Sequence, residues 1–290
     1  MKILITGSSG FLGKNLYKRL KKEYKITGID KSRDEYTDYS VDITDRKKIE
    51  NLIKATRPDI VIHTAALTNV DYCETHREEA YNINVKGTKN LIDSLKNREA
   101  KFIFISSDYV YDGLKGNFNE ESPTNPINYY GKTKLEAEQI VRRCKNYLIL
   151  RPTVIFGWDE RGKNFFMQLF RNQKDNLPMK VPIDQKSNPT YINLLVEIIY
   201  KSIPKNLTGT FIATGPETIS RYNFALKICN IFSFNKTLIM PVKTKNLNQI
   251  APRPLNCGTN SSKIRKSLGM NFPSLEENLL ELKSSLYAES

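Results

Sequence analysis

Thr6-Gly7-Ser8-Ser9-Gly10-Phe11-Leu12-Gly13 is the stretch that decides the fold. It follows the continuously apolar run Ile3-Leu4-Ile5, and Leu12, Leu16 and Leu20 then recur at helical spacing. A strand that passes through a glycine-rich turn into a helix is the fingerprint of a dinucleotide-binding unit. Gly7 permits the tight turn, Gly10 lets the backbone approach a pyrophosphate, and Gly13 lets helix and strand pack closely. The helix N-terminus then faces the phosphates with unpaired N–H groups and its positive dipole end. Alone, the pattern would also fit an ordinary strand-to-helix turn, so the sequence around it has to decide.

Outward from that turn the rhythm repeats. Strand-like runs are expected over 2–6, 24–30, 59–63, 102–106 and 148–150. Between them Ile49, Leu52 and Ile53 mark a helix ended by Pro58, a long helix is expected from 78 to 97, and another from 130 to 144. Repeated strand–helix units predict an α/β fold of Rossmann type, a doubly wound parallel sheet with helices on both faces. After Arg151-Pro152 glycines and prolines break the chain into shorter pieces. The organisation expected is a dinucleotide-binding domain over 1–151 and a smaller, irregular substrate-binding lobe over 152–290, with some elements returning to the main sheet.

Composition narrows the function. The 290 residues carry 45 Lys and Arg against 31 Asp and Glu, a net charge of +14. The cations are spread among acids on apparent helix faces, which argues for solvated surface over nucleic-acid binding. One stretch differs: from 240 to 267 there are six cations, including Arg253, and no acid. No membrane span and no signal peptide are expected, because no apolar run of the required length occurs. Cys73, Cys144, Cys229 and Cys257 are widely spaced and lack partner histidines, so neither a metal site nor a disulfide framework is expected. Reduced thiols suit a cytoplasmic setting.

Three further places carry chemistry. Asp30 ends the second strand, where a carboxylate would bind adenosine ribose hydroxyls, yet Lys31 and Arg33 follow at once and would favour a 2′-phosphate. Asp42 suits a place near the adenine, or equally a cap on the next helix. Tyr130 and Lys134 stand at i and i+4, on one helix face. A phenol titrates near 10, and a neighbouring ammonium and a nicotinamide cation would favour its phenolate, making it a better acid at neutral pH. Ser106-Ser107-Asp108 ends a parallel strand, where folds of this class bind ligands. His63 is expected to be a satisfied structural histidine and His76 an exposed one.

Taken together these residues resemble the extended short-chain dehydrogenase/reductase family, and within it the dTDP-4-dehydrorhamnose reductases. The resemblance rests on 57–66 (RPDIVIHTAA), Asn82-Ile83-Asn84-Val85, Ser106 to Gly113, Asn128 to Leu135, Gly162-Lys163-Asn164-Phe165, Pro189-Thr190 and Arg253-Pro254. It implies that Tyr130 is the proton donor, Lys134 its ribose-binding partner, and Ser107 the stand-in for the family's catalytic Thr, with Asp108 beside it in the substrate site. It places Gly7, Gly10, Phe11, Leu12, Gly13, Asp30, Asp42, Ile43, Ala65, Ala66 and Leu67 against an NADPH or NADH cofactor. The implied substrate is a nucleotide-diphosphate sugar, for which Arg253 offers a bidentate phosphate contact. Val154 stands where bacterial members often have a substrate-contacting Trp; Trp158, four residues on, is read as a surface or core tryptophan ahead of a replacement for it. Two alternatives stay open: a regulatory subunit like that of methionine adenosyltransferase, and an epimerase or dehydratase of the same fold. The sugar, the base and the assembly, a homodimer among the possibilities, are not fixed by the sequence.

Overall fold

A computed structural model describes residues 1–96, 98–159 and 162–288. The opening apolar run forms strand β1 (Lys2–Thr6), and the periodic leucines form helix α1 (Phe11–Leu20), with Leu12, Leu16 and Leu20 buried. The chain continues through β2 (Lys25–Asp30), a short β3 (Tyr39–Ser40), α2 (Arg46–Thr56) and β4 (Ile60–His63). Asp45 caps α2 by accepting from Lys48 N, so the capping role open to Asp42 belongs to its neighbour.

The single helix expected from 78 to 97 is replaced by a sequence of shorter ones. After α3 (Val70–Thr75) come α4 (Arg77–Tyr81), a π-helical turn over Asn82–Gly87, and α5 (Thr88–Ser94). Asn97, the expected end, lies outside the described residues. The wide turn buries Asn84, which holds the loop after β4 through its side chain; π-turns inside helices commonly serve such functional insertions. Then follow β5 (Lys101–Ile105), a 3₁₀ turn over Asp108–Val110, α6 (Tyr129–Val141) and β6 (Tyr147–Arg151).

Beyond Arg151 the strands shrink to two to four residues, as the glycines and prolines predict, but the helices do not shorten. The elements are β7 (Ile155–Phe156), α7 (Phe165–Lys174), β8 (Met179–Pro182), β9 (Lys186–Ser187), β10 (Thr190–Tyr191), α8 (Ile192–Ser202), β11 (Gly209–Ile212), β12 (Ile219–Ser220), α9 (Arg221–Phe232), β13 (Ile239–Val242), α10 (Ser262–Leu268) and α11 (Leu275–Ala288), the longest helix among the described residues. Six of these strands form three two-stranded ribbons, β7 with β10, β8 with β13 and β9 with β12. β11 returns to the main sheet beside β6, and α8 packs on α1.

The main sheet has seven strands in the order β11-β6-β5-β4-β1-β2-β3, and every pairing is parallel. Chain order reverses between β1 and β4. In an open parallel sheet the crevice outside the carboxyl ends at that reversal is where ligands bind. Apolar cores cover both faces: Ile3, Ile5 and Leu16 face α8 and α9 on one side, while Leu4, Val61 and Phe104 face α2, α5 and α6 on the other. Within the second layer Glu138 of α6 is fully buried and takes two bonds from Arg151, at 2.8 and 2.6 Å, and one from the Ser106 hydroxyl at 2.6 Å. That ion pair locks α6 to the ends of β5 and β6.

Candidate active site

The glycine turn fits a dinucleotide on steric grounds. Gly7 has φ +69°, and a Cβ on it would lie 2.7 Å from Ala65 N. A Cβ on Gly13 would lie 2.0 Å from Gly7 O. Both positions exclude a side chain, so β1, the turn, α1 and the loop after β4 nest against one another. Gly10 starts α1 with no side-chain cap, and the first turn holds no acidic residue, leaving its N–H groups for an anion. Asp30 stands behind this turn, its Oδ2 accepting from Ser9 N at 3.3 Å. Lys31, exposed, pairs with Asp42 at 3.6 Å, so the two signals that conflict in the sequence are partly joined in space. Asp42 also accepts from Thr44 N and Oγ1. Ile43 buries its side chain in the core against Gly87.

His63 is structural, as expected. Ala65 N–H donates to Thr6 Oγ1 at 3.3 Å, Thr6 Oγ1 to His63 Nδ1 at 2.6 Å, His63 Nε2 to Thr88 Oγ1 at 3.0 Å, and Thr88 Oγ1 to Asn84 O at 2.6 Å. This one-way chain fixes a neutral imidazole with its proton on Nε2, and burial holds the pKa down at about 3. Asn84 closes the loop: its Oδ1 accepts from Leu67 N at 2.8 Å, and its Nδ2 donates to Leu67 O at 3.1 Å and Thr133 Oγ1 at 3.0 Å. Ala65, Ala66 and Leu67 are thereby positioned at the reversal point.

A cleft of about 790 Å³ opens over the carboxyl ends of β1, β4 and β5. It brings Gly10, Phe11, Leu12 and Ala66 together with Ser107, Asp108, Tyr130, Lys134 and Arg253. Gly7, Gly13, Asp30, Asp42, Ile43, Ala65 and Leu67 do not line it. His76 is exposed and stacked on Tyr72, with ring centroids 3.8 Å apart.

Tyr130 and Lys134 share the inward face of α6. Asn128 caps that helix by accepting from Gly131 N at 2.9 Å, and it donates to Pro252 O at 3.0 Å. One side chain therefore fixes the start of α6 and anchors the late basic segment. Tyr130 is buried beside Ser107. The sequence suggests a phenol drawn down by its lysine; in the cleft burial dominates and raises it, Asp108 adding to the rise and Ser107 opposing. The phenol is thus held protonated. Burial acts oppositely on Lys134, bringing it down to about 7 against the pull of Glu138. The ammonium lies over the Phe104 ring, 4.3 Å from its centroid.

Ser107 Oγ accepts from Tyr109 N at 3.2 Å and donates to Asp108 Oδ1 at 3.0 Å. Thr153 Oγ1 donates to Asp108 Oδ2 at 2.6 Å. Burial raises Asp108 to about 6, with Thr153, Ser107 and Arg221 resisting. Thr153 and Arg221 had no signal in the sequence: one is a threonine after a proline, the other the first residue of an ordinary amphipathic helix.

Arg253 reaches the cleft wall, but its Nη1 donates to Ala251 O at 2.7 Å and pairs with Asp71 at 2.9 Å. Val154 also lines the cleft and holds φ +43°, a costly conformation for a β-branched residue, of the kind that collects at ligand sites. Trp158 does not line it; the indole is 36% exposed and packs edge-on against Phe170, so it does not replace the tryptophan that Val154 lacks. Among the described residues no cluster of acidic, histidine or cysteine side chains suits a metal ion.

The chain is similar to known proteins along nearly its whole length. The model of the RmlD substrate binding domain family matches residues 1–287. A dTDP-4-dehydrorhamnose reductase of Aggregatibacter actinomycetemcomitans is 29% identical over 303 residues, covering 99% of each chain. The methionine adenosyltransferase 2 subunit beta of Bos taurus is 30% identical over 282 residues, covering 93% of this chain and 83% of the other. The crystal structure of dTDP-4-dehydrorhamnose reductase from Bacillus anthracis, in complex with NADP, superposes with a TM-score of 0.90 at 32% identity, covering 98% of this chain and 99% of that one. A Clostridium acetobutylicum structure described by the same activity gives 0.91 at 32% identity, covering 99% and 100%.

Proposed function

The chain belongs to the RmlD substrate binding domain family, and from that membership we propose that it is an NAD(P)H-dependent reductase of a nucleotide-diphosphate-linked 4-keto-6-deoxysugar, the reaction of dTDP-4-dehydrorhamnose reductases. The observation that carries the reading is the meeting, in one cleft, of the glycine turn with a buried phenol, a lysine and a strand-end serine. Four free cysteines support a cytoplasmic setting.

A reduced nicotinamide, when bound, supplies a hydride to the keto carbon. Gly7, Gly10, Phe11, Leu12 and Gly13 would hold the pyrophosphate end, Asp30, Asp42 and Ile43 the adenosine, and Ala65, Ala66 and Leu67 the remaining wall. Lys134 would bind the ribose, and its positive charge, when present, would lower the cost of a phenolate. Tyr130 hydrogen-bonds the carbonyl oxygen and gives it a proton as the alkoxide forms. Ser107 orients the same oxygen. To do so its hydroxyl turns away from Asp108 Oδ1, and Thr153 stays as the donor that holds Asp108 in place. The lobe over 152–290 grips the nucleotide sugar, and Arg253 presents the guanidinium nitrogens that Asp71 does not occupy.

The test is oxidation of NADPH and NADH against a panel of dTDP-linked 4-keto sugars. One equivalent of reduced cofactor consumed per sugar is expected. Tight nucleotide binding with no oxidation by any member would overturn the reading and favour the regulatory-subunit alternative.

A further inference from the structure

We propose that Arg221 is the main diphosphate-binding residue of the substrate half of the cleft, ahead of Arg253. The inference rests on the nucleotide-sugar reading and assigns a role to a residue that neither the motifs nor the spacing single out.

The two arginines differ in what already satisfies them. Arg253 spends Nη1 on Asp71 and on Ala251 O, so its charge is largely compensated and part of its donor set is used. Arg221 lines the same cleft, half-buried. Among the described residues its guanidinium has no ion pair and no side-chain hydrogen bond, and all five N–H donors remain to be satisfied. The acid facing it, Asp108, attracts it but makes no ion pair or hydrogen bond with it; its oxygens accept from Ser107 and Thr153. Tyr109 also faces it, and Arg253 repels it. A partly desolvated guanidinium left unpaired beside a second one is a costly arrangement unless an anion completes it.

The position is also rigid. Arg221 is the first residue of α9, its N–H donates to Gln185 O at 2.8 Å, and Ser220 caps the helix through Asn223 N. The guanidinium lies over Phe165, 4.9 Å from the ring centroid. A guanidinium held over an aromatic ring is placed before ligand arrives, and its planar fork suits bidentate contact with a phosphate. Lys163 and Lys180, both exposed, border the same cleft and extend the positive field toward its mouth.

The experiment compares binding of dTDP, UDP, thymidine and NADPH to wild type, Arg221→Met, Arg221→Lys and Arg253→Met by titration calorimetry. Arg221→Met is expected to weaken the preferred diphosphate roughly tenfold to a hundredfold, the scale of a charge-assisted bidentate contact. Thymidine and NADPH affinities should stay near wild type. Arg221→Lys should recover part of the loss, because it restores charge without the fork, and Arg253→Met should lose less than Arg221→Met. Unchanged diphosphate binding in Arg221→Met overturns the inference alone. Equal losses for thymidine and diphosphate also overturn it, since they indicate only a packing role over Phe165. Should the methionine variant misfold, an Arg221→Lys protein with full diphosphate affinity and no loss of kcat/KM likewise sinks it. A wild type that binds neither dTDP nor UDP overturns the nucleotide-sugar reading itself, and the inference with it.

Discussion

Arg253 Nη1 lies 2.9 Å from Asp71 Oδ1, and the same carboxylate oxygen accepts from Ala251 N at 2.9 Å, so one acid on α3 holds the late basic segment by both side chain and backbone. Asn128 adds a third tie through Pro252 O. These contacts decide where the wall of the substrate cleft stands, and they lie away from the glycine turn. Asp71→Ala is therefore expected to loosen that wall by about 1–2 kcal/mol, the lower range because Asp71 is partly exposed. In kinetics this means a KM for the nucleotide sugar raised roughly fivefold to thirtyfold, with NADPH affinity unchanged. A parallel loss of both would show that α3 supports the cofactor side as well.

If Asp30 meets the adenosine ribose, as proposed, its carboxylate repels a 2′-phosphate, while Lys31 is partly drawn off by Asp42 at 3.6 Å. Dual use of NADH and NADPH is expected. Asp30→Ala should shift the ratio of kcat/KM toward NADPH by about tenfold, equivalent to ~1.4 kcal/mol of relieved repulsion. A ratio that does not move would place Asp30 away from the ribose.

The buried ion pair behind the site offers a stability test. Burial pushes Glu138 up, but Arg151, Ser106 and Arg142 outweigh it and hold the carboxyl below its usual range. Glu138→Gln keeps the shape and leaves the Arg151 guanidinium buried without its counter-charge. Breaking such a pair costs about 3–5 kcal/mol. Urea unfolding should show that loss with little change in m-value, whereas a loss under 1 kcal/mol would mean that water or a rearranged neighbour compensates.

The sequence displays the elements that a single strong signal controls. The glycine turn, the apolar strands and the Tyr130–Lys134 spacing are local patterns, and the sheet order follows from repeated strand–helix units. The π-turn is different: Asn82–Gly87, with two Asn, two β-branched residues and a Gly, has no period that marks it, and Asn84 there reaches Leu67 and Thr133 only after folding. Arg221 and Thr153 are invisible for a similar reason, since their roles come from chain segments that meet at Asp108 and Phe165 after folding. The acid-free run from 240 to 267 is legible as a basic segment. Its chief cation, Arg253, is paired with an acid supplied by the opposite half of the chain.

Lys134 predicts a pH signature. Its ordinary pKa is 10.5, and burial in the folded protein brings it to about 7. Between those values the unfolded chain binds more protons at this site than the folded one, so stability rises with pH across that window. Below pH 7 the folded state bears the full penalty of a buried ammonium. Unfolding of the cofactor-free protein should therefore show a gain on the order of a few kcal/mol between pH 7 and 10 that Lys134→Met lacks. Identical pH profiles for the two proteins would mean that the ammonium is solvated from the cleft.

The assignment of Tyr130 separates an enzyme from a binding module. Tyr130→Phe removes one hydroxyl and keeps the ring against Tyr109, with which it packs edge-on at 5.9 Å between centroids. Packing should hardly change. The phenol is kept protonated by burial, the state required of a proton donor to a developing alkoxide. Its hydroxyl then matters chiefly in the transition state, so single-turnover reduction should slow by ~10²–10⁴-fold with little change in KM. Cofactor affinity should survive, because the glycine turn and Lys134 remain, whereas Lys134→Met should lose turnover and some affinity together. A regulatory subunit reverses the pattern: no sugar turnover in the wild type, and partner binding indifferent to Tyr130. The decisive measurement is nicotinamide absorbance in a stopped-flow reduction of the same 4-keto sugar by wild type and Tyr130→Phe, and equal rates would remove Tyr130 from the chemistry.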